Sequence, residues 1–343
     1  MMNNTQKVTF KEWKDNIKAN FSNVRKRQVM TQNILMFFGK LFRTLILIGL
    51  SFVIVLPIFE KVSAAVRHFS DITNPNVIWI PETYSWFNIN FAIELLDYEH
   101  TIFNTLFISI GCTLLQIFST SLAGYAFARL KFKGRDILFY LTLLTLVVPN
   151  EALDRSRTLF LGAYSFFGVK LIGNIFSMFI LSLFGQGIRS AIFVFLFRQF
   201  FKGVPIELEE SAQVDGAGVI RTFWSVMLPN ARGAIVTVSL FSFVWQWNDY
   251  YFGQLLNYTE DTMPLLGVKL GAGSEKIKTI IGTWIAEGRE AIKGISVEDS
   301  SDPLFVSLVT NTGALLMMLP LLIGYFFVQK QFVESIERTG ITG

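Results

Sequence analysis

The sequence has one cysteine, two histidines and few charged residues, and each shortage excludes a class of protein. The single Cys112 lies inside an apolar run, which excludes an internal disulfide and a thiolate metal cluster. His68 and His100 have no metal-ligand spacing, so we predict no metal site. Charged residues make up 16% of the 343 residues, below the ~25% of soluble domains. A globule in water would lack polar surface to cover it.

The sequence also lacks the motifs of catalysis. No G-x-x-x-x-G-K-[ST] pattern occurs, which excludes ATP hydrolysis by a P-loop in this chain. Serine, histidine and aspartate are present but no pattern groups them into a triad. We therefore predict no catalytic residue, no bound cofactor and no enzyme. The net charge of +4 comes from basic residues at helix ends and the N-terminus, and it does not indicate nucleic-acid binding.

Apolar residues dominate the rest of the chain. They make up 52%, with 35 phenylalanines and a mean hydropathy of +0.46, which indicates an all-α integral membrane protein. We predict six transmembrane helices. The segments are Leu41–Phe59; Thr101–Ala128; Ile137–Pro149 continuing into Leu159–Val169; Leu171–Phe197, interrupted by Gly185-Gln186-Gly187 and Arg189; Gly233–Asn248 continuing past Asp249 to about Tyr258; and Leu304–Val328.

Lysine and arginine concentrate on one side of these spans. They lie in the N-terminal 40 residues, in Arg129–Arg135, in the 198–232 connection and in the C-terminal tail. The positive-inside rule then makes both termini cytoplasmic. We expect a basic cytoplasmic region over 1–40, a transmembrane domain over 41–343, outer loops at about 60–100 and 259–303, and a cytoplasmic loop at about 198–232.

The first 33 residues are polar and basic and lack the pattern of a cleavable signal peptide. Phe10, Trp13 and Ile17 with interleaved lysines fit an amphipathic segment on the anionic inner leaflet. A loosely ordered tail that obeys the positive-inside rule is the alternative.

The 198–232 loop contains the most informative motif. It reads Glu210-Ser211-Ala212-Gln213-Val214-Asp215-Gly216, followed after nine residues by Val226-Met227-Leu228-Pro229. Pro205 suits a first helical turn, and Gly216 suits the residue that ends a helix. A helix from about Pro205 to Asp215 would carry Leu208, Ser211, Ala212 and Asp215 on one narrow face. Such a face suits docking to another protein, although a helix that merely joins two spans has the same pattern.

This spacing resembles the E-A-A-x-x-x-G-x(9)-I-x-L-P loop of permease subunits in binding-protein-dependent ABC importers. Ser211 stands at the first Ala and Val226 at the Ile of that pattern. Further stretches resemble the carbohydrate-uptake branch, which includes the second maltose permease subunit. They are Asn104-Thr105-Leu106, Ser121–Arg135, Trp247-Asn248-Asp249-Tyr250 and the tail from Gln331 to Gly343.

The resemblance implies the type I ABC importer permease fold in a bacterial cell membrane. It also implies a heteromeric assembly with a second homologous permease, two ATPase subunits that bind ATP-Mg, and an extracytoplasmic solute-binding protein. The cargo would be a sugar. The residues that couple to the ATPase would be Glu210, Ser211, Ala212, Asp215, Gly216, Leu228 and Pro229.

Polar residues within spans are candidates for the substrate path. Arg189 lies about 13 Å before Arg198 along a helix, beside Gln186. It fits a cavity residue that contacts sugar hydroxyls or an acidic sugar. The alternatives are a salt bridge to the partner permease, or a break in the helix that lifts Arg189 nearer the outer surface. A second cluster consists of Gln246, Trp247, Asn248, Asp249 and Tyr250. Aromatic faces beside amides suit sugars, whereas helix–helix hydrogen bonds and an interfacial aromatic belt would use the same residues.

An ion-coupled secondary sugar transporter is the alternative function. Such transporters use intramembrane carboxylates and internal repeats. Asp249 is the one clear carboxylate in a predicted span, and the sequence has no visible repeat.

Overall fold

The computed structural model describes residues 24–72, 74, 77, 79–166, 168–174, 176–256, 263–289 and 295–341. Residues 1–23 of the predicted basic N-terminal region lie outside the described residues. The chain divides into two compact units, 1–60 and 61–343. In the first unit, the described residues form one helical segment.

Helices make up most of the described residues. In chain order the elements are α1 (Val24–Val66), α2 (Phe87–Leu96), α3 (Tyr98–Arg129), α4 (Arg135–Leu144), α5 (Asn150–Ala163), β1 (Ser165–Phe166), β2 (Val169–Lys170), α6 (Ser177–Leu183), α7 (Ser190–Gly203), α8 (Ile206–Val214), α9 (Val219–Thr222), a π-helical turn (Phe223–Met227), α10 (Leu228–Asn230), α11 (Arg232–Trp247), α12 (Tyr251–Leu255), α13 (Leu266–Gly271), α14 (Gly273–Ala286) and α15 (Pro303–Ile341).

Among the described residues, three helices are long and apolar enough to cross a membrane: Thr31–Val66 within α1, α3, and Pro303–Lys330 within α15. The segments Val219–Asn230 and Arg232–Trp247 form a fourth candidate, bent by 79° at the break between them. The count of six therefore stays a prediction, because the other predicted spans consist of shorter helices.

Several predicted spans differ in detail from the described helices. The predicted segment Leu159–Val169 ends instead in the antiparallel pair β1–β2, which is a small exception to the all-α fold. The predicted fifth span breaks after Trp247, and α12 resumes at Tyr251. Leu171–Phe197 is divided into α6 and α7, as its glycines suggested, because Gly185 adopts a φ of +70°.

Helix α3 is the centre of the second unit and packs against α6, α7 and α11. Its Gly124 allows the close approach of α7, since a Cβ there would lie 2.5 Å from the Cβ of Phe197. An apolar cluster continues this contact toward the π-helical turn. Its members are Tyr125, Phe193, Phe197, Phe201, Phe223, Met227, Ala231, Ala234 and Val238.

A buried glutamine joins three helices in this bundle. The Gln116 amide of α3 donates to the Ile188 carbonyl at 2.8 Å and to the Ser190 hydroxyl at 2.7 Å. Its oxygen accepts from the Ser242 hydroxyl of α11 at 2.6 Å. Such hydrogen bonds stabilise helix packing where water is absent.

The two regions predicted as outer loops contain ordered structure. Helix α1 extends to Val66, α2 lies within 60–100, and α13 and α14 lie within 259–303. Side chains of α2, α14 and the start of α15 form an apolar cluster. They are Phe87, Phe91, Leu95, Ile277, Ile281, Trp284, Phe305 and Val309. We call this part the outer cluster.

A buried carboxylate organises the chain beside the outer cluster. Asp71, which is 4% exposed, accepts hydrogen bonds from the Glu82 and Thr83 amides at 3.0 and 2.9 Å and from the Thr83 hydroxyl at 2.9 Å. Burial by itself raises the pKa of Asp71, but these bonds and nearby His68 leave that pKa below its ordinary value.

Candidate functional site

The end of α8 is built by a glycine in the left-handed region. Gly216 has a φ of +79°, and its amide donates to the Gln213 carbonyl at 3.0 Å. The next amide, of Ala217, donates to the Ala212 carbonyl at 2.9 Å. This pair of bonds is the Schellman arrangement that ends a helix. The predicted helix of about Pro205 to Asp215 thus agrees with α8 within a residue at each end.

The predicted narrow face of α8 lies largely at the surface. Leu208, Ser211 and Asp215 are exposed and Ala212 is half-buried. Glu210 is also exposed. Beside this face the chain exposes further large apolar side chains, namely Ile206, Val214, Val219, Ile220 and Trp224. Apolar surface at this density is typical of a site that contacts another protein or lipid.

One acidic residue of α8 points inward. Glu209 is 7% exposed, and its Oε1 accepts a hydrogen bond of 2.8 Å from the Tyr125 hydroxyl of α3. Its Oε2 lies 3.4 Å from the Nε of Arg129, within ion-pair distance but without hydrogen-bond geometry. Arg129 also donates to the Val204 carbonyl, just before α8. The sequence analysis did not name Glu209 among the candidate site residues.

The second half of the motif lies at a bend. Leu228 is half-buried against the apolar cluster of α3 and α7, whereas Pro229 is exposed. Both belong to α10, which precedes the 79° bend at Ala231. The first half of the motif thus lies on the exposed helix α8, and the second half lies in α10, just before the bend that leads into α11.

Arg189 lies at the break between α6 and α7. It directly precedes the first residue of α7 and has a φ of +52°, in the region that non-glycine residues rarely adopt. Its side chain is exposed, and its guanidinium carbon lies 4.7 Å from the Trp245 ring centroid. Phe193 stacks on the same ring at 5.3 Å. Gln186, two residues beyond Phe184, is exposed at the same break.

Three of the predicted path residues are buried within the chain. The Trp247 indole is 2% exposed and donates to the Met317 carbonyl of α15 at 3.0 Å. Asp249 accepts from the Phe252 and Gly253 amides at 3.2 and 2.9 Å, so it caps α12. Gln246 is also buried. These contacts position α11, α12 and α15.

The other predicted path residues are exposed. Asn248 directly follows α11, one turn beyond Trp245, and its side chain donates to the Val244 carbonyl at 2.8 Å. Tyr250 lies against Gly271, where a Cβ would be 2.4 Å from its ring. The structure brings Arg189 together with Trp245, which the sequence analysis did not include among the site residues. The Arg189 cation, the Trp245 ring and the Asn248 amide are groups that can together bind a polar molecule with an apolar face.

The comparisons with known proteins match this architecture. Residues 116–337 match the family described as binding-protein-dependent transport system inner membrane component. A maltodextrin transport system permease protein of Bacillus subtilis is 27% identical over 308 residues, which is 89% of this chain and 97% of that protein. An sn-glycerol-3-phosphate transport system permease protein of Yersinia enterocolitica is 27% identical over 214 residues, 59% of this chain and 71% of that protein.

A solved structure shares the fold. It is the crystal structure of a bacterial ABC transporter involved in the import of the acidic polysaccharide alginate. The TM-score is 0.62 at 21% identity, and the match covers 87% of this chain and 97% of that chain. Together with the helical architecture, this likeness gives the type I ABC permease fold.

Proposed function

Since the chain belongs to the binding-protein-dependent transport system inner membrane components, we propose that it is a permease subunit of an ATP-driven sugar importer. The family is a transport component of the bacterial inner membrane and not an enzyme. A solute-binding protein and an ATPase are its partners by family. Relatives named for maltodextrin and for starch degradation products support an oligosaccharide as cargo.

The assembly that we propose contains a second homologous permease and two copies of the ATPase, which bind ATP-Mg. This chain would form half of the translocation path. The ion-coupled alternative has less support, because the family match runs from within α3 to within α15 and includes the motif between Glu210 and Pro229. Asp249, its candidate carboxylate, is engaged in capping α12.

The coupling surface that we propose consists of seven motif residues, exposed except for the half-buried Ala212 and Leu228. They are Glu210, Ser211, Ala212, Asp215, Gly216, Leu228 and Pro229. The observation that carries the proposal is α8 itself. It is a short helix with defined ends in the connection between α7 and α11, and its Leu208 and Ser211 side chains are exposed. An ATPase cleft that covers this face would bury apolar side chains and the small residues would permit close approach.

A cysteine at Ala212 tests the coupling surface. In a Cys112→Ser background it should form a crosslink to the ATPase with a short thiol-reactive reagent, because Ala212 lies on the proposed contact face. A cysteine at Thr279 of α14, which is exposed and lies outside the proposed contact face, is the control. Crosslinking from Thr279 and none from Ala212 would contradict the assignment.

The substrate path that we propose uses Gln186, Arg189, Asn248 and Tyr250, with Trp245 as an aromatic platform. Gln246, Trp247 and Asp249 would support this path from within the chain. The contact between Arg189 and Trp245 supports the proposal, because an exposed guanidinium on an aromatic face can bind hydroxyls or a carboxylate of a sugar.

Both termini and α8 are cytoplasmic in the topology that we propose. A membrane-impermeant thiol reagent should then modify a cysteine at Thr279 in intact cells. A cysteine at Ser225, exposed in the π-helical turn, should react only after permeabilisation. The reverse pattern would overturn the orientation.

Reconstitution tests the function as a whole. Proteoliposomes with both permeases and the ATPase should take up sugar only with ATP inside and the loaded binding protein outside. Dissipating the proton and sodium gradients should leave uptake unchanged. Uptake that follows an ion gradient without ATP would support the ion-coupled alternative instead.

A further inference from the structure

Helix α8 is attached to α3 through one carboxylate. The two oxygens of Glu209 face different partners, the Tyr125 hydroxyl at 2.8 Å and the Arg129 guanidinium at 3.4 Å. Tyr125 and Arg129 lie one turn apart at the end of α3. Arg129 also binds the Val204 carbonyl in the connection from α7. The group therefore joins the ends of three helices.

The burial of this carboxylate makes the attachment specific. A buried charge is strongly unfavourable without its partner, so removal of one member leaves the other unpaired. Glu207 and Glu210, on the same helix, are exposed. The apolar side chains of Ile206, Leu208 and Val214 are exposed too, which leaves α8 with little apolar contact to α3.

Helix α3 connects this group to the proposed path. Gln116 lies nine residues before Tyr125, about 13 Å along the helix at 1.5 Å per residue. Its side chain binds the Ile188 carbonyl and the Ser190 hydroxyl, the two residues that flank Arg189. A displacement of the end of α3 would therefore reach the break that holds Arg189 through one continuous helix and two hydrogen bonds.

We propose that Glu209, together with Tyr125 and Arg129, is the joint that transmits movement of α8 to α3 and thereby to Arg189. Glu209 is a positioning residue in this role, because it contacts neither cargo nor nucleotide. The inference rests on the proposed function, since it requires an ATPase that moves α8.

The test is the number of ATP molecules hydrolysed per sugar transported by the complete reconstituted importer. In Glu209→Gln, hydrolysis should continue while uptake falls about tenfold, a typical allosteric coupling factor. Glu207→Gln changes an exposed glutamate of the same helix and should leave the ratio unchanged. If Glu209→Gln leaves the number of ATP molecules hydrolysed per sugar unchanged, the proposed role of Glu209 is wrong.

A milder variant covers the case in which Glu209→Gln does not assemble. Tyr125→Phe removes only the hydroxyl that binds Glu209 and should raise the same ratio by a smaller factor. If Tyr125→Phe assembles with an unchanged ratio, the joint is rejected whatever Glu209→Gln does.

The crosslink from a cysteine at Ala212 separates this inference from the proposed function. It should persist in Glu209→Gln, because α8 still contacts the ATPase when its attachment to α3 is broken. A crosslink absent from both the parent and the variant would reject the proposed coupling surface. A crosslink present in both with an unchanged ratio would reject only the joint.

Discussion

Short helices are held in place differently in the outer cluster and in the α8 region. In the outer cluster, α2 and α14 are held by interlocking rings, with Trp284 at 5.1 Å from Phe91 and 5.7 Å from Phe87. Helix α8 instead exposes its apolar side chains and is attached by the carboxylate of Glu209. An aromatic core resists displacement in every direction, whereas one polar contact can move with a partner. The outer cluster therefore suits a static frame, and α8 suits a moving part.

Gly216→Pro should break the α8 side of this comparison completely. Proline fixes φ near −65° and removes the amide that donates to Gln213, while Gly216 needs a φ of +79°. We expect uptake to be abolished while the subunit still inserts in the membrane, as measured by transport and membrane-fraction immunoblots. Gly218→Pro is the control, because Gly218 has a φ of −73° that proline can adopt. Normal transport by Gly216→Pro would contradict the role of α8.

Trp284→Ala should disrupt the outer cluster, the other region in this comparison. The buried indole fills the space between α2 and α14, so its removal should destabilise the outer cluster by about 3–5 kcal/mol. Limited proteolysis of intact cells should show faster cleavage in this region. The control is Ile285→Ala, whose side chain is 42% exposed. ATP hydrolysed per sugar should stay constant in complexes that remain assembled, and a raised ratio would mean that the outer cluster is no static frame.

The features that were predictable from the sequence are the local ones. The ends of α8 follow from Pro205 and Gly216, whose backbone preferences act within a turn. The partner of Glu209 was not predictable, because Tyr125 lies 84 residues away along the chain. The contact between Arg189 and Trp245 also depends on how α7 and α11 pack. Asp249 was predicted as a path residue because it is a carboxylate within a predicted span. In the structure, its carboxylate accepts hydrogen bonds from two backbone amides of α12.

The spans show the same limit. Long uninterrupted apolar runs predicted α3 and α15 well, because the hydrophobic length needed to cross a bilayer is a local property. The third predicted span was least defined, since Asp154, Arg155 and Arg157 of α5 lie between its two apolar stretches, Ile137–Pro149 and Leu159–Val169. Hydropathy alone cannot decide where such a segment turns.

Arg189→Gln tests the proposed substrate path, which belongs neither to the outer cluster nor to the α8 region. Glutamine retains hydrogen-bonding groups but loses the charge and the contact with Trp245, so uptake should fall by about tenfold, equivalent to 1.4 kcal/mol. The fall should be larger for an acidic sugar than for a neutral one, because a carboxylate loses its ion-pair partner. The affinity of the binding protein, on another chain, should not change.

The amount of assembled complex distinguishes the two roles of Arg189. If Arg189→Gln lowers assembly and leaves transport per complex intact, Arg189 binds the partner permease and should be removed from the path. Lys170→Gln is a suitable control, since Lys170 is an exposed cation in β2 outside both sites.

Asp71→Asn has the smallest expected effect and sharpens the comparison, because Asp71 is the outer region's own buried carboxylate. Unlike Glu209, it binds residues of its own loop, the Glu82 and Thr83 amides. Both amides donate to the same oxygen, Oδ2, so an asparagine oxygen can still accept them, but it carries no charge and accepts more weakly. The NH2 group of asparagine then faces the Thr83 hydroxyl, which donates to Oδ1 of Asp71. We expect a loss of about 1 kcal/mol in the stability of this loop, measured by hydrogen exchange of the Thr83 amide, with no change in ATP hydrolysed per sugar.

The same carboxylate gives a pH dependence with a defined sign. Because the pKa of folded Asp71 is below its ordinary value of 3.8, its contribution to stability is present above that value and is lost as pH falls through the lower, folded pKa. The difference in protection between the parent and Asp71→Asn should thus be constant from pH 7 to about pH 5 and shrink in stronger acid. Other carboxylates titrate in both proteins and cancel in the difference. A difference that grows on acidification would contradict the assigned hydrogen bonds.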